Sequence, residues 1–242
     1  MENPFKNLFK KKSTDNTEDT KTEPGKKKKN FFGDLLKNKL GKSAVQGEEI
    51  VGVELTTNEI RLAQLTSDKS NQWILERFYV HQISDADNES TVLANPDKIA
   101  EELKLALQKS KISTNNAAIA IPVTSAIIRV VTAPLMTEEE LLNAIQTDSL
   151  WENLVQLTDN LDDYSIFHQI ISKNDKANTM DILFVASKLS DINSYTDIVK
   201  KGGLNVVIID VKCFALKSAV DQINHIAGSI EETNLTAILE FG

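Results

Sequence analysis

The chain has 242 residues, of which 41% are hydrophobic and 26% are charged, and its formal net charge is −8 at pH 7. A chain of this length buries enough apolar surface to fold without disulfides or metal ions. No apolar run approaches the roughly 18 residues that would span a bilayer. The sequence therefore predicts neither a transmembrane helix nor a secretory signal.

The charge is divided unevenly along the chain. Residues 1–45 contain 12 lysines and 6 acidic residues, a net charge of +6, so the remaining residues carry 15 basic against 29 acidic side chains, or −14. Phosphate binding requires a concentrated basic face. The acidic body therefore argues against nucleic acid as a partner.

Residues 1–45 are predicted to form a disordered basic tail. Two segments that mix lysine with phenylalanine and leucine, 3–12 and 30–40, flank a polar spacer. Such segments are typical of short helices that settle on an anionic membrane surface. A solubilising tail without membrane contact has the same composition, so both interpretations stay open.

Short strands and helices are predicted to alternate from residue 49 onward. Alternating and β-branched apolar residues indicate strands, and apolar residues at helical spacing after a capping signal indicate helices. The predicted strands are 50–55, 60–65, 72–83, 117–121, 126–132, 164–171, 180–186, 206–209 and 235–241. The predicted helices begin at Asn95-Pro96, Thr137, Ser190 and Cys213. The strand at 117–121 follows a helix and is expected to run parallel to its neighbour.

Local signals mark the ends of several helices. Asn95 is a favoured N-cap residue and is followed by a proline at the first helical position. Thr137 and Glu140 have the spacing of a capping box. Gly202 and Gly203 are expected to end the third helix.

The sequence offers no arranged set of catalytic groups. His81, His168 and His225 are dispersed, and none has a second histidine or cysteine at the spacing of metal ligands. No Walker loop, nucleophile elbow or Gly-x-Gly-x-x-Gly motif is present. We therefore expect structural histidines, and neither a catalytic nor a metal site.

One predicted turn is a candidate phosphate site. Hydroxyl groups, an amide and charged side chains meet at this tight β-turn, in Glu54, Thr56, Thr57, Asn58 and Arg61. Backbone N–H groups and hydroxyls in such a turn can bind phosphate, and the cation can balance its charge. A plain polar hairpin has the same features, so the turn alone is ambiguous.

The order of several segments resembles a known family. The turn resembles the first phosphate loop of the actin-like ATPases, and residues 119–122 and 127–141 resemble the corresponding stretch of the type IV pilus assembly protein PilM family, which is related to FtsA. Residues 209–216 and 237–242 resemble its later segments. The resemblance covers roughly residues 49–242 in order.

This resemblance implies an α/β fold with a defined division of the chain. An actin-like (ribonuclease-H-like) lobe would be formed by residues 46–124 and 206–242. A small subdomain of strand-helix-strand-strand order would be inserted at 125–205, where the predicted elements have that same order. The C-terminal lobe of an actin-like protein would be missing, and the disordered basic tail would precede the fold.

The family also implies a function. It implies a cytoplasmic scaffold, peripheral to the inner membrane, that binds the cytoplasmic N-terminal segment of a PilN-like bitopic inner-membrane protein. It further implies ATP and Mg²⁺ as candidate cofactors.

The sequence departs from the family at the nucleotide site. Glu54 and Thr56 stand where the family usually has an aspartate and then a glycine, and Glu240 replaces the aspartate of the second loop. A threonine side chain crowds an approaching phosphate, and the longer Glu54 would displace a metal-bound water. We therefore expect no ATPase activity. Two alternatives stay open: a nucleotide-switched actin-like ATPase whose C-terminal lobe is absent from this sequence, and an FtsA-like cell-division membrane adaptor.

Overall fold

The computed structural model of the protein describes residues 49–67, 73–84, 91–146, 160–226 and 237–239. The predicted tail at 1–45 and Glu240 lie outside the described residues. Within these ranges the chain forms eight β-strands and four α-helices. The strands are β1 (Ile50–Leu55), β2 (Glu59–Ser67), β3 (Trp73–Gln82), β4 (Asn116–Ile121), β5 (Ala126–Pro134), β6 (Tyr164–Asn174), β7 (Thr179–Lys188) and β8 (Asn205–Val211). The helices are α1 (Pro96–Ser110), α2 (Glu138–Gln146), α3 (Leu189–Lys201) and α4 (Lys212–Ile226).

The first sheet has five strands in the order β3-β2-β1-β4-β8. Strands β1, β2 and β3 form an antiparallel meander, whereas β1, β4 and β8 run parallel to one another. Parallel strands require a crossover connection, which α1 provides between β3 and β4. The predicted parallel direction of the strand at 117–121 is thereby confirmed.

The second sheet has three antiparallel strands in the order β5-β7-β6. The chain enters it directly after β4 and leaves it directly before α3. Its elements follow as strand, helix, strand and strand, as the sequence predicts. Helix α2 begins with the predicted capping box, in which the Thr137 hydroxyl accepts from the Glu140 amide at 3.2 Å and the Glu140 carboxylate accepts from the Thr137 amide at 2.9 Å.

Two hydrophobic cores lie against these sheets. In the first core, α1 contributes Ile99, Leu103 and Ala106, and α3 contributes Tyr195 and Ile198. In the second core, α2 packs against the three-stranded sheet; this core contains Val131, Ala133, Met136, Leu141, Ile145, Tyr164, Met180, Ile182, Phe184 and Ala186.

Strand β7 is buried on both of its faces. Phe184 and Ala186 are in the second core, while Val185 between them is 6% exposed and belongs to the first core. Successive side chains of a strand point to opposite faces. Strand β7 therefore joins the two cores, and this explains its continuous apolar run.

The close approach of α3 to α1 depends on a glycine. A Cβ atom built on Gly202 would lie 2.4 Å from Leu103 Cδ2, so a larger residue here would require the Leu103 side chain or the end of α3 to shift. The following Gly203 has a φ of +105°, a backbone conformation that favours glycine. The predicted glycine end of this helix is confirmed.

Some sequence predictions require correction. Asn95 precedes α1, but its side chain makes no capping hydrogen bond; instead its carbonyl accepts from the Ile99 amide at 3.2 Å. Ser190 lies inside α3 rather than before it. The predicted strand at 235–241 is wrong for residues 237–239, which pair with no described strand, and its other residues lie outside the described ranges.

The predicted division at 125–205 stays a prediction. Helix α3 lies within that range, yet its buried side chains are part of the first core. We infer from this packing that the inserted subdomain ends near Lys188, where β7 ends.

Leu103 provides a test of the first core. Leu103 is fully buried on α1, whereas Leu105 on the same helix is 43% exposed. We expect Leu103→Ala to lower the free energy of unfolding in urea by about 2–5 kcal/mol, because it leaves a cavity between α1 and α3. The matched control Leu105→Ala should cost less than about 1 kcal/mol. Equal losses in the two variants would contradict this packing.

Candidate functional site

The carboxyl ends of the three parallel strands lie side by side at one edge of the first sheet. Strands β1, β4 and β8 end at Leu55, Ile121 and Val211, and their register places these ends side by side. The turn at 56–59 follows β1, and Lys212 follows β8 at the start of α4. Ligands of open α/β sheets bind outside the carboxyl ends of the strands, so this edge is the candidate ligand site of the first sheet.

The turn at 56–59 satisfies many of its own polar groups. The Thr56 hydroxyl donates to the Glu59 carbonyl at 2.8 Å and accepts from the amides of Asn58 and Glu59 at 3.3 and 3.0 Å. The Thr56 amide also donates to the Glu59 carbonyl at 3.0 Å. Thr57 donates its hydroxyl hydrogen to the Asn58 side-chain oxygen at 3.1 Å. Three backbone amides of the turn are therefore already engaged.

The Glu54 carboxylate lies between two cations of the chain. Its Oε2 accepts from Arg61 Nη1 at 2.9 Å, and its Oε1 contacts Lys212 Nζ at 2.5 Å. The side chains of Glu54 and Lys212 are 23% and 25% exposed, so water screens their attraction only in part. Arg61 also forms an ion pair with Glu59, which in turn accepts from Gln82 Nε2 at 2.7 Å.

These contacts shift the protonation equilibria at the edge. Burial raises the pKa of Glu54, but the hydrogen bonds and charges of Lys212 and Arg61 outweigh it and hold the pKa below its ordinary value of 4.5. The hydrogen bond from Arg61 to Glu54 raises the pKa of that guanidinium group. Glu54 is therefore a neutralised carboxylate, since each of its oxygens contacts a cation.

The structure places the five predicted phosphate-site residues at this one edge. Glu54 and Arg61 are in direct contact, while Thr56, Thr57 and Asn58 form the turn beside them. Sequence reasoning missed Lys212, although its position directly after a strand parallel to β1 was a signal for it. Whether these residues bind phosphate stays a prediction.

The two histidines whose side chains the structure describes, His81 and His168, lie on strands of different sheets. His81 is 6% exposed, and its Nε2 lies 2.6 Å from Glu102 Oε2 on α1, which makes it a buried structural contact between β3 and α1. His168 lies on β6 of the second sheet, whereas His81 lies on β3 of the first sheet. His225 has a side chain outside the described residues. In the part of the chain that the structure describes, no three His, Cys, Asp or Glu side chains are grouped to hold a metal ion.

A second surface of interest lies on the small sheet, on the face opposite α2. Val130 on β5 and Phe167 on β6 are 61% and 56% exposed, and Leu183 lies between them on β7. Phe167 pairs directly with Val185, which is buried in the first core. We call Val130, Leu183 and Phe167 the apolar strip. It runs across the small sheet beside the first core.

The strip is flanked by two strand edges. Within the described ranges, β5 and β6 each pair only with β7, so each has one edge without a partner strand. An unpaired edge presents backbone N–H and C=O groups that can pair with an extended segment. The strip and these edges together have the features of a peptide-binding surface.

Two solved structures are similar to this chain. A chain of the PilM–PilN type IV pilus biogenesis complex matches with 16% identity and a TM-score of 0.57, over 72% of this chain and 51% of that chain. The cytoplasmic domain of EpsL, an inner-membrane component of the type II secretion system of Vibrio cholerae, matches with 16% identity and a TM-score of 0.41, over 67% of this chain and 57% of that chain. No curated protein sequence shows a significant match.

The fold and the site define a class of protein. The five-stranded sheet with its inserted second sheet is a lobe of the actin-like ATPase fold, and the chain spans about half the length of the PilM that it matches. The model of the family described as type IV pilus assembly protein PilM matches residues 52–242. The chain belongs to this PilM family. Among the described residues, no helix combines the length and the apolar character needed to cross a membrane.

The Glu54–Lys212 pair gives a testable prediction. We expect Lys212→Met to lower the free energy of unfolding by about 1–2 kcal/mol, because it removes one of the two cations from a largely buried carboxylate. In a double-mutant cycle, Glu54→Gln should remove most of this loss. The control Lys217→Met on the same helix breaks an exposed pair with Asp221 and should change stability little. Additive effects of the two changes at positions 54 and 212 would contradict the pairing.

The same variants predict a pH dependence. Because the pKa of Glu54 is lower in the folded than in the unfolded state, its contribution is complete above the ordinary value of 4.5 and is lost as the pH falls through the folded pKa. The wild type should therefore lose stability more steeply below about pH 5 than Glu54→Gln does. Urea unfolding at a series of pH values measures this difference, and parallel curves would contradict it.

Proposed function

We propose that the chain is a binding scaffold of type IV pilus assembly. It receives the short cytoplasmic N-terminal segment of a PilN-like inner-membrane protein, and it works at the cytoplasmic side of that membrane. The single observation that carries the proposal is the apolar strip beside two unpaired strand edges. Membership of the PilM family supports the pilus setting, and the similar PilM structure is a complex with PilN.

The strip suits an extended peptide. A segment paired with the free edge of β6 runs alongside that strand, and because alternate side chains of an extended segment point in the same direction, its apolar residues on the face of the strip can pack on Phe167. Phe167 is the strongest contact of the three, because aromatic side chains at the centre of an interface contribute most of the binding energy. Val185, which pairs with Phe167, is buried in the first core and holds this part of the strip in place.

The charge of the chain favours the same kind of partner. Outside residues 1–45 the chain has a net charge of −14. Cytoplasmic segments that adjoin a transmembrane helix are rich in lysine and arginine. The acidic body therefore attracts such a segment and speeds its association.

The edge at Glu54 supports binding rather than nucleotide hydrolysis. A magnesium ion bound through Glu54 would have to displace the Lys212 ammonium group at 2.5 Å, and a phosphate on the turn would have to compete with the Thr56 hydroxyl for two amides. These residues do not fit an ATP–Mg²⁺ site, and we infer that this chain has no ATPase activity. This disfavours the nucleotide-switched alternative. No observed contact favours the FtsA-like alternative, and contact of residues 1–45 with an anionic membrane surface stays a prediction.

Peptide binding tests the proposal. A fluorescently labelled peptide with the cytoplasmic N-terminal sequence of the PilN-like protein from the same genome should bind the chain, as measured by fluorescence anisotropy. Phe167→Ala should weaken binding at least about tenfold, because it removes the aromatic contact of the strip. The affinity should also fall as salt is added.

A matched control separates the strip from general surface effects. Ile223 on α4 is exposed to a similar extent as Phe167, 62% against 56%, but Ile223 lies outside the strip. Ile223→Ala should leave the affinity unchanged. Equal weakening by both variants, or no binding of the peptide to the wild type, would contradict the proposed function.

A further inference from the structure

A second apolar surface lies on strand β3 of the first sheet. Strand β3 is an edge strand of the first sheet and pairs only with β2 within the described ranges. Four of its side chains are about half exposed or more. They are Trp73 at 57%, Ile74 at 48%, Leu75 at 57% and Phe78 at 61%. A long exposed apolar edge strand is a template for pairing with another strand.

A β-bulge divides this strand. Gln64 of β2 is opposite Arg77, whereas the next residue, Leu65, is opposite Leu75, so Glu76 has no partner on β2. Residues two apart on a strand share a face. Because Ala63 pairs with Phe78 and Leu65 pairs with Leu75, the bulge places Leu75 and Phe78 on the same face of the sheet.

The bulge makes β3 complementary to itself in one antiparallel register. A two-fold axis between Glu76 and Arg77 would set Leu75 opposite Phe78 of a second copy, and Trp73 opposite Val80. On the other face Ile74 would meet Tyr79. Side chains that are directly opposite in an antiparallel pair must lie on the same face. In a regular strand, Leu75 and Phe78 are three residues apart and would lie on different faces, so this register would be impossible. The extra residue of the bulge removes that mismatch.

The charges of this register also agree. Glu76 of each copy would meet Arg77 of the other, which gives two ion pairs of opposite charge at the axis. In the described part of a single chain the Nε atom of Arg77 is buried without a hydrogen-bond partner. Glu76 is exposed, and among the described residues its carboxylate accepts from Gln64 Nε2 at 3.1 Å. Neither side chain forms an ion pair with another described residue of its own chain, so each copy offers the other a charge of the required sign.

We propose that the chain forms a symmetric homodimer through antiparallel pairing of two β3 strands, joined at Glu76 and Arg77. The dimer does not depend on the proposed peptide binding, since the apolar strip lies on the other sheet. The exposed parts of Trp73 and Phe78 are each on the order of 100 Å². The apolar contact is thus smaller than the roughly 800 Å² per partner of stable complexes, so we expect a micromolar dissociation constant.

Sedimentation of the full chain tests this dimer. From about 1 to about 100 µM the wild type should change from the sedimentation coefficient of a monomer to that of a dimer. Glu76→Arg and Arg77→Glu should each abolish dimerisation over this range, because each places like charges opposite one another at the axis. Glu101→Arg, an exposed charge reversal on α1, is the control and should leave the dimer intact.

Charge exchange makes the test independent of folding defects. In a mixture of Glu76→Arg and Arg77→Glu, each arginine of one chain faces a glutamate of the other, so a heterodimer should form although neither variant dimerises alone. The double variant E76R/R77E should dimerise again. A wild type that stays monomeric up to about 100 µM would overturn the proposal and leave this face to another occupant. A dimer that neither single variant disrupts would also overturn it.

Discussion

The parallel pairing of β1, β4 and β8 is the constraint on which the rest of the structure depends. Parallel strands cannot be joined by a tight turn, so the chain must cross the sheet between β4 and β8. The second sheet and α3 occupy that crossover. The same pairing brings the turn after β1 and Lys212 after β8 to one edge, where Glu54 contacts both Arg61 and Lys212. The inserted sheet and the charge cluster are thus two consequences of one topology.

Strand β7 carries the mechanical link between the two sheets. Val185 is anchored in the first core, while Phe184 and Ala186 are anchored in the second. The small sheet is therefore held with one face against the first core; on that face Leu183 packs partly against the core, while Val130 and Phe167 at the two ends of the apolar strip are exposed. A scaffold needs such a surface on a rigid support, because fewer groups must be ordered when a partner binds.

Most elements were predictable because their signals are local. The capping box at Thr137 and Glu140 and the glycine end of α3 depend on a few neighbouring residues, and the structure confirms them. The resemblance to the PilM family predicted that a small second subdomain interrupts the first one, which no local sequence signal indicates. The pairing of Glu54 with Lys212 was not predicted, because it depends on the register of strands far apart in the chain. The bulge at Glu76 was also missed, since a strand interrupted by charges does not show which residue lacks a partner.

Our central proposal is that Arg61 and Lys212 of the chain itself occupy the Glu54 carboxylate, so that this PilM-family chain binds proteins and does not use a nucleotide. The most direct measurement is a titration with ATP and Mg²⁺ that follows the backbone amide NMR signals of residues 54–59 and 212. The account predicts no saturable change of these signals up to about 1 mM ATP. The Thr56 hydroxyl already accepts from the Glu59 amide, and Lys212 already contacts the Glu54 carboxylate. Saturable shifts of these signals with a micromolar dissociation constant would contradict it.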